Sequence, residues 1–221
     1  MEYKYRNKDF CFMRKGIVAC ASMILALVLL VVALLGPWYM VNATGMLGAD
    51  YTMELFLTRM EVQGNLGGQG VSLSMGYAEA KANLQSTDVS VESFAMIETA
   101  MYLTLLAMVT AVIAVVCMAA FVFNKGKPRT MKLLGGLFGI LTFLLTLLPA
   151  LYFMNTKFVE NSSGFWFSLS ALGMTLSGGP GYAWYLMIVV AIIAVICAVA
   201  ILLKKIVPEG VISEGLSAEP K

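Results

Sequence analysis

The chain has 221 residues, of which 60% are hydrophobic and only 13% charged, with a net charge of +2. Soluble domains carry about 45–50% apolar and about 25% charged residues, so an ordinary soluble domain is excluded. There is no histidine, which removes the commonest general base and metal ligand.

In chain order, residues 1–15 form a basic tail with Lys4, Arg6, Lys8, Arg14 and Lys15. An apolar block follows at 16–36, and three more lie at 100–123, 133–154 and 185–203. A helix needs about 20 apolar residues to cross a hydrocarbon layer of about 30 Å. None of the four blocks holds an Asp, Glu, Lys or Arg. A backbone in lipid must satisfy its own hydrogen bonds, so the blocks are expected to be four transmembrane helices. The first is longer than the roughly 7–15 apolar residues of a signal-peptide core. The "GPWYMVNATG" after it is a poor cleavage site, so this span is expected to be retained.

The segment 37–99 between the first two spans is too long for a simple connection. Within it, Val71, Leu73, Met75 and Tyr77 alternate with Ser72, Ser74, Gly76 and Ala78, the period-two pattern of a half-buried strand. "YTMELFLTRMEVQG", 51–64, also reads as a strand. Its apolar set shifts from Met53, Leu55 and Leu57 to Met60 and Val62, which predicts a bulge near Leu57 to Arg59. "GNLGGQG", 64–70, then serves as the connector of a hairpin. "ESFAMIE", 92–98, is expected to extend span two outward as a helical turn or two.

The cytoplasmic loop 124–132 is basic, and span three carries a small face, Gly135, Gly136 and Gly139. Ala194 and Ala198 form a matching pair in span four; such faces let helices pack closely, here within the bundle in preference to a lateral contact. Pro149 is expected to kink span three near its outer end. In the second outer segment, 155–184, "GFWFSLSAL" places Phe165, Phe167 and Leu169 on one face of a further strand. "GMTLSGGPGYAWYL" after it reads as a Gly/Pro turn into span four. Trp38, Tyr39, Tyr152, Tyr182, Trp184 and Tyr185 fall where an interfacial aromatic belt is expected. The cytoplasmic tail 204–221 follows, basic only next to the membrane at Lys204 and Lys205.

Twelve of the fifteen Lys and Arg lie on the side of the two termini and three on the other. The positive-inside rule therefore predicts a multi-pass cell-membrane protein with both termini cytoplasmic and the strands outside. Asn42 and Asn161 begin N-x-[ST] triplets on the outer side, the candidate glycosylation sites. The outer segments are acidic, with a net charge of −5. Of the four cysteines, Cys11 lies in the basic tail as the candidate juxtamembrane palmitoylation site. Cys20, Cys117 and Cys197 lie in spans, so no disulfide is expected outside.

The layout resembles the claudin-like tetraspan superfamily: claudins, peripheral-myelin-type proteins and calcium-channel gamma subunits. Trp38 after span one and "GPGYAWYL" before span four are similar to residues found there in that family. The family's Gly-Leu-Trp and its pair of spaced cysteines are absent from the first outer segment. The resemblance implies a four-helix bundle, a small extracellular antiparallel β-sheet and a role in interaction, membrane organisation or adhesion.

The spans hold no ionisable residue at depth, which argues against a proton relay or an ion-coupled transporter. No catalytic, cofactor or metal motif is present, and an enzyme is not expected. Membrane lipids are the expected partners, together with a protein partner or a second copy of the chain, and no nucleic acid. The expected contact surface is Trp166, Phe167 and the polar face of 51–63, with Glu54, Arg59 and Glu61. The alternative reading is an accessory subunit of a channel or transporter.

Overall fold

The computed structural model describes residues 2–45, 50–66, 69–79, 91–123, 127–155, 164–171 and 173–203. Its helices are α1 (Glu2–Leu35), α2 (Val91–Val122), α3 (Pro128–Met154) and α4 (Tyr182–Leu203). All four contain a stretch long and apolar enough to cross a membrane. They pack in cyclic order, each against the next, with α4 closing against α1.

The buried positions repeat every seven residues. In α1 the repeat runs through Ala19, Met23, Ala26, Leu30 and Ala33, and in α4 through Ala183, Met187, Val190, Ala194, Cys197 and Ile201, with Trp184, Ala191 and Ala198 buried beside it. In α2 the run is Ile97, Ala100, Thr104, Ala107, Ala111, Ala114, Met118 and Phe121. This 3-4 spacing keeps one seam facing the neighbours in a left-handed bundle. Small residues dominate the seam, while Ile24, Leu25, Val112, Leu137 and Ile196 face outward. A soluble bundle keeps its large aliphatic side chains inside and polar ones outside; large aliphatic side chains outside and small ones inside suit a bundle surrounded by lipid.

The glycines of α3 lie inside this bundle. A Cβ on Gly135 would sit 3.1 Å from Met118 of α2, and one on Gly139 2.9 Å from the Cβ of Ala198 in α4. Four threonines are the buried polar side chains of the described residues. Each finds a carbonyl one turn back: Thr104 donates to Ala100 O and Thr110 to Ala107 O, and Thr146 donates to Thr142 O. The Thr142 hydroxyl lies 2.8 Å from Phe138 O and 3.0 Å from Thr110 Oγ1, so its single proton serves an intrahelical or an α2–α3 bond.

The other element is one antiparallel six-stranded sheet: β1 (Tyr39–Thr44), β2 (Asp50–Leu55), β3 (Arg59–Leu66), β4 (Gln69–Gly76), β5 (Phe167–Ala171) and β6 (Met174–Pro180). The strand order is β4-β3-β2-β1-β6-β5. Three expectations are corrected here. The stretch 51–64 is two strands, and the shift at Leu57 to Arg59 is the turn between them, closed by Phe56 N–H donating to Arg59 O at 2.9 Å. The glycine-rich stretch 64–70 is mostly strand, since β3 runs to Leu66 and β4 begins at Gln69. Met174–Pro180 is a strand paired on both sides rather than a turn. The helical turns at 92–98 belong to α2, and Pro149 lies inside α3, which continues to Met154.

Candidate functional site: an amphipathic sheet on the bundle end

The sheet is joined to the helices by a clasp that begins with a proline. Pro37 has no N–H to give to Ala33 O, four residues back at the end of α1. The indole N–H of Trp38 donates to that carbonyl instead, at 2.8 Å. Trp38 is fully buried against Phe153 of α3, with ring centroids 5.1 Å apart. Its backbone carbonyl accepts from Gly181 N–H at 2.9 Å, and Pro37 O accepts from Ala183 N–H at 3.2 Å. The start of β1 is thereby fixed to the end of β6, and α1 to α4. Trp184 adds a second indole bond, to Ala150 O of α3 at 2.9 Å. Trp38, Tyr39 and Trp184 are therefore interior side chains, whereas Tyr152, Tyr182 and Tyr185 remain exposed as belt residues would be.

The pairing register sorts every strand into an apolar and a polar side. Tyr39, Val41 and Ala43 of β1 align with Leu55, Met53 and Tyr51 of β2. Those continue into Met60, Val62 and Gly64 of β3, then Met75, Leu73 and Val71 of β4. In the other direction the row reaches Leu176 of β6 and Phe167 and Leu169 of β5. Tyr39, Val41, Leu55, Met60 and Phe167 share one buried cluster with Ile97, Ala150, Phe153 and Trp184 of the helices. The apolar side is thus the bundle side. Burial fades away from the helices: Tyr51, Val71, Leu73, Leu169 and Met174 are exposed.

Two glycines are required by aromatic rings lying across the strands. A Cβ on Gly178 would meet the Phe167 ring at 2.2 Å and Tyr39 Oη at 2.9 Å. A Cβ on Gly64 would meet the Tyr51 ring at 2.4 Å. The buried Tyr39 hydroxyl donates to Phe165 O at 2.8 Å, and burial pushes its pKa up to about 12. Tyr77, just after β4, donates to Phe56 O across the β2–β3 turn, and burial raises its pKa as well.

The opposite side carries Asn42 and Thr44, Thr52 and Glu54, Arg59, Glu61 and Gln63, Ser72 and Ser74, and Ser168 and Ser170. The charges sit on the central strands β2 and β3. Glu54 is directly opposite Glu61, a like-charge pair. Arg59 relieves it: Nε lies 2.6 Å from Glu61 Oε1, and its guanidinium stands 4.3 Å above the Phe56 ring. Glu54, Arg59 and Glu61 therefore form one half-buried patch on the polar face.

Trp166 is 51% exposed, with its ring edge-on to Phe165 and Trp184. Phe167 is 5% exposed and points to the bundle. It supports the sheet and is corrected from a contact residue to a core residue. Asn42 is exposed at the middle of β1, and Asn161 lies outside the described residues. Reading the sequence missed β1 and the clasp. A signal was present: Pro37 in "GPW" and Pro180 in "PGY" lack the N–H a helix interior needs, and they stand at the end of α1 and just before α4.

The sequence matches no known family model and no curated protein.

Proposed function

We propose that the chain is a non-enzymatic, multi-pass membrane protein that binds a neighbouring protein through a sheet held outside the cell. In this reading both termini are cytoplasmic, and the role is claudin-like membrane organisation or adhesion. The observation that carries it is the wide polar sheet face, clasped to a bundle in which, among the described residues, the buried polar side chains are threonines. A structure that moved protons or ions by itself would be expected to bury an ionisable side chain among the helices. The excess of Lys and Arg in the two tails and the loop 124–132 supports the orientation. The order β4-β3-β2-β1 from the first segment, extended at β1 by strands of the second, supports the claudin-like layout. The sheet has no cysteine to staple it, and the clasp at Trp38 and Gly181 replaces that function.

The test is extraction into native nanodiscs followed by cross-linking mass spectrometry. Cross-links from the sheet to a protein neighbour are expected, and they should be lost when Trp166, Glu54, Arg59 and Glu61 are replaced together. Retention of every interaction in that variant overturns the assignment. Stoichiometric links to a larger pore-forming protein would establish the accessory-subunit reading instead.

A further inference from the structure

β4 is an edge strand of eight residues, Gln69–Gly76, whose outer backbone groups no strand covers among the described residues. Natural edges are blunted by lysine, proline, a bulge or a short length. β4 has none of these: it carries no charge and no proline, and it pairs with β3 without interruption. All its side chains are exposed except Met75, which is half-buried.

The sequence of this edge is nearly a palindrome. Gly70-Val71-Ser72-Leu73-Ser74-Met75-Gly76 reads the same in both directions by residue class, centred on Leu73. Resting on the reading of the sheet as an interaction surface, we propose that the partner at this edge is a second copy of the chain. The two β4 strands pair antiparallel about a two-fold axis at Leu73.

That register opposes Leu73 to Leu73, Ser72 to Ser74, Val71 to Met75 and Gly70 to Gly76. Every pairing is reciprocal, as an isologous interface requires, and the opposed residues are also alike in class. Opposed residues differ by an even number along the strand, so they lie on the same face. Outward-turned N–H and C=O groups also meet their counterparts. A register shifted by one residue would oppose leucine to serine and break the ladder. The axis runs through the sheet, so the apolar side stays on one side in both copies. Both bundles then lie on that side of one continuous twelve-stranded sheet, which makes this a lateral pairing within one membrane. The exposed Val71 and Leu73, 57% and 50% accessible, become the centre of a shared apolar surface. The other edge, β5, has only five residues and begins with the buried Phe167.

Cysteine scanning of the full-length protein in membranes tests the register. Opposed Cα atoms in an antiparallel pair stand about 4.5–5.5 Å apart, within disulfide reach. Residues 71 and 71 of the two copies would be about 13 Å apart. Under mild oxidation Leu73→Cys is expected to give a disulfide-linked dimer. Val71→Cys and Met75→Cys singly should stay at the wild-type background, and the Val71→Cys/Met75→Cys double variant should cross-link. Adding Ser72→Lys and Ser74→Lys, on the exposed polar face, should return Leu73→Cys to background, because lysines then oppose lysines. A monomeric Leu73→Cys protein, or equal cross-linking at all three single positions, overturns the pairing. If the pairing fails while the Trp166, Glu54, Arg59 and Glu61 variant still loses a protein neighbour, the interaction role stands and the edge has another occupant. If neither set of variants changes any association, both fail.

Discussion

Replacing Gly181 with alanine tests the clasp that joins sheet to bundle. A Cβ there would lie 2.1 Å from Pro37 O and 2.7 Å from its carbonyl carbon. Both are backbone atoms, so no rotamer change relieves the clash. The two segments must separate by roughly 1 Å to restore ordinary contact. That movement breaks or stretches the Gly181 N–H to Trp38 O bond at 2.9 Å and the Ala183 N–H to Pro37 O bond at 3.2 Å. Each is worth about 1 kcal/mol, and the overpacking itself costs about 1–3 kcal/mol. The expected loss is therefore about 3 kcal/mol, or about 6–12 °C in Tm for a chain of this size. Trp38, Trp166 and Trp184 surround the clasp, so tryptophan fluorescence during thermal unfolding in detergent reports it directly. Gly70→Ala is the control, because nothing lies within 4 Å of its added Cβ. It should change stability by no more than about 0.5 kcal/mol. A Gly181→Ala protein that melts with the Gly70→Ala control would refute the reasoning.

Trp38→Phe keeps most of the ring contact with Phe153 but leaves Ala33 O without its donor. A loss of about 1–3 kcal/mol is expected in the same melt. Tyr39 loses its proton more easily in the unfolded chain, near pH 10, than in the fold, where its pKa is about 12. Its contribution is therefore complete below pH 10 and declines as pH rises from there toward 12. Tyr39→Phe should melt lower at pH 8, by about 1 kcal/mol for the lost bond to Phe165 O, and show a shallower decline above pH 10. Parallel slopes for the two proteins would contradict the burial of that hydroxyl. Gly139→Leu would force α3 away from Ala198 of α4, and a loss of about 2 kcal/mol or more is expected on denaturant unfolding in micelles. Arg59→Ala leaves Glu54 facing Glu61 uncompensated and should lower stability by about 1–2 kcal/mol, recovered in part by adding Glu54→Gln.

The candidate surface was legible in part. Trp166 and the charged trio on β2 and β3 could be selected from alternation alone, and the structure places all four at or near the surface of the sheet. Phe167 could not be separated from Trp166 in this way. Its burial depends on Gly178, eleven residues later, leaving room for the ring on a neighbouring strand.

Local chemistry was enough for the helices, because each apolar block meets the demands of its own backbone without help from elsewhere. It was also enough for β4, where the exposed serines keep the alternation clear. The β2–β3 turn was invisible for a tertiary reason. Its tip, Phe56 and Leu57, is buried, so apolar residues stand where a solvent-facing hairpin would carry Gly, Asn or Asp. β1 and β6 were hidden because they abut the apolar helices, and their aromatic and Gly/Pro residues also fit a belt and a turn. Their strand character comes from pairing across more than 130 residues of chain, with Tyr39 opposite Pro180 and Thr44 opposite Thr175. A residue's own neighbours decide whether it can be helix or strand; only the fold decides which strand it meets and which side of the sheet is covered.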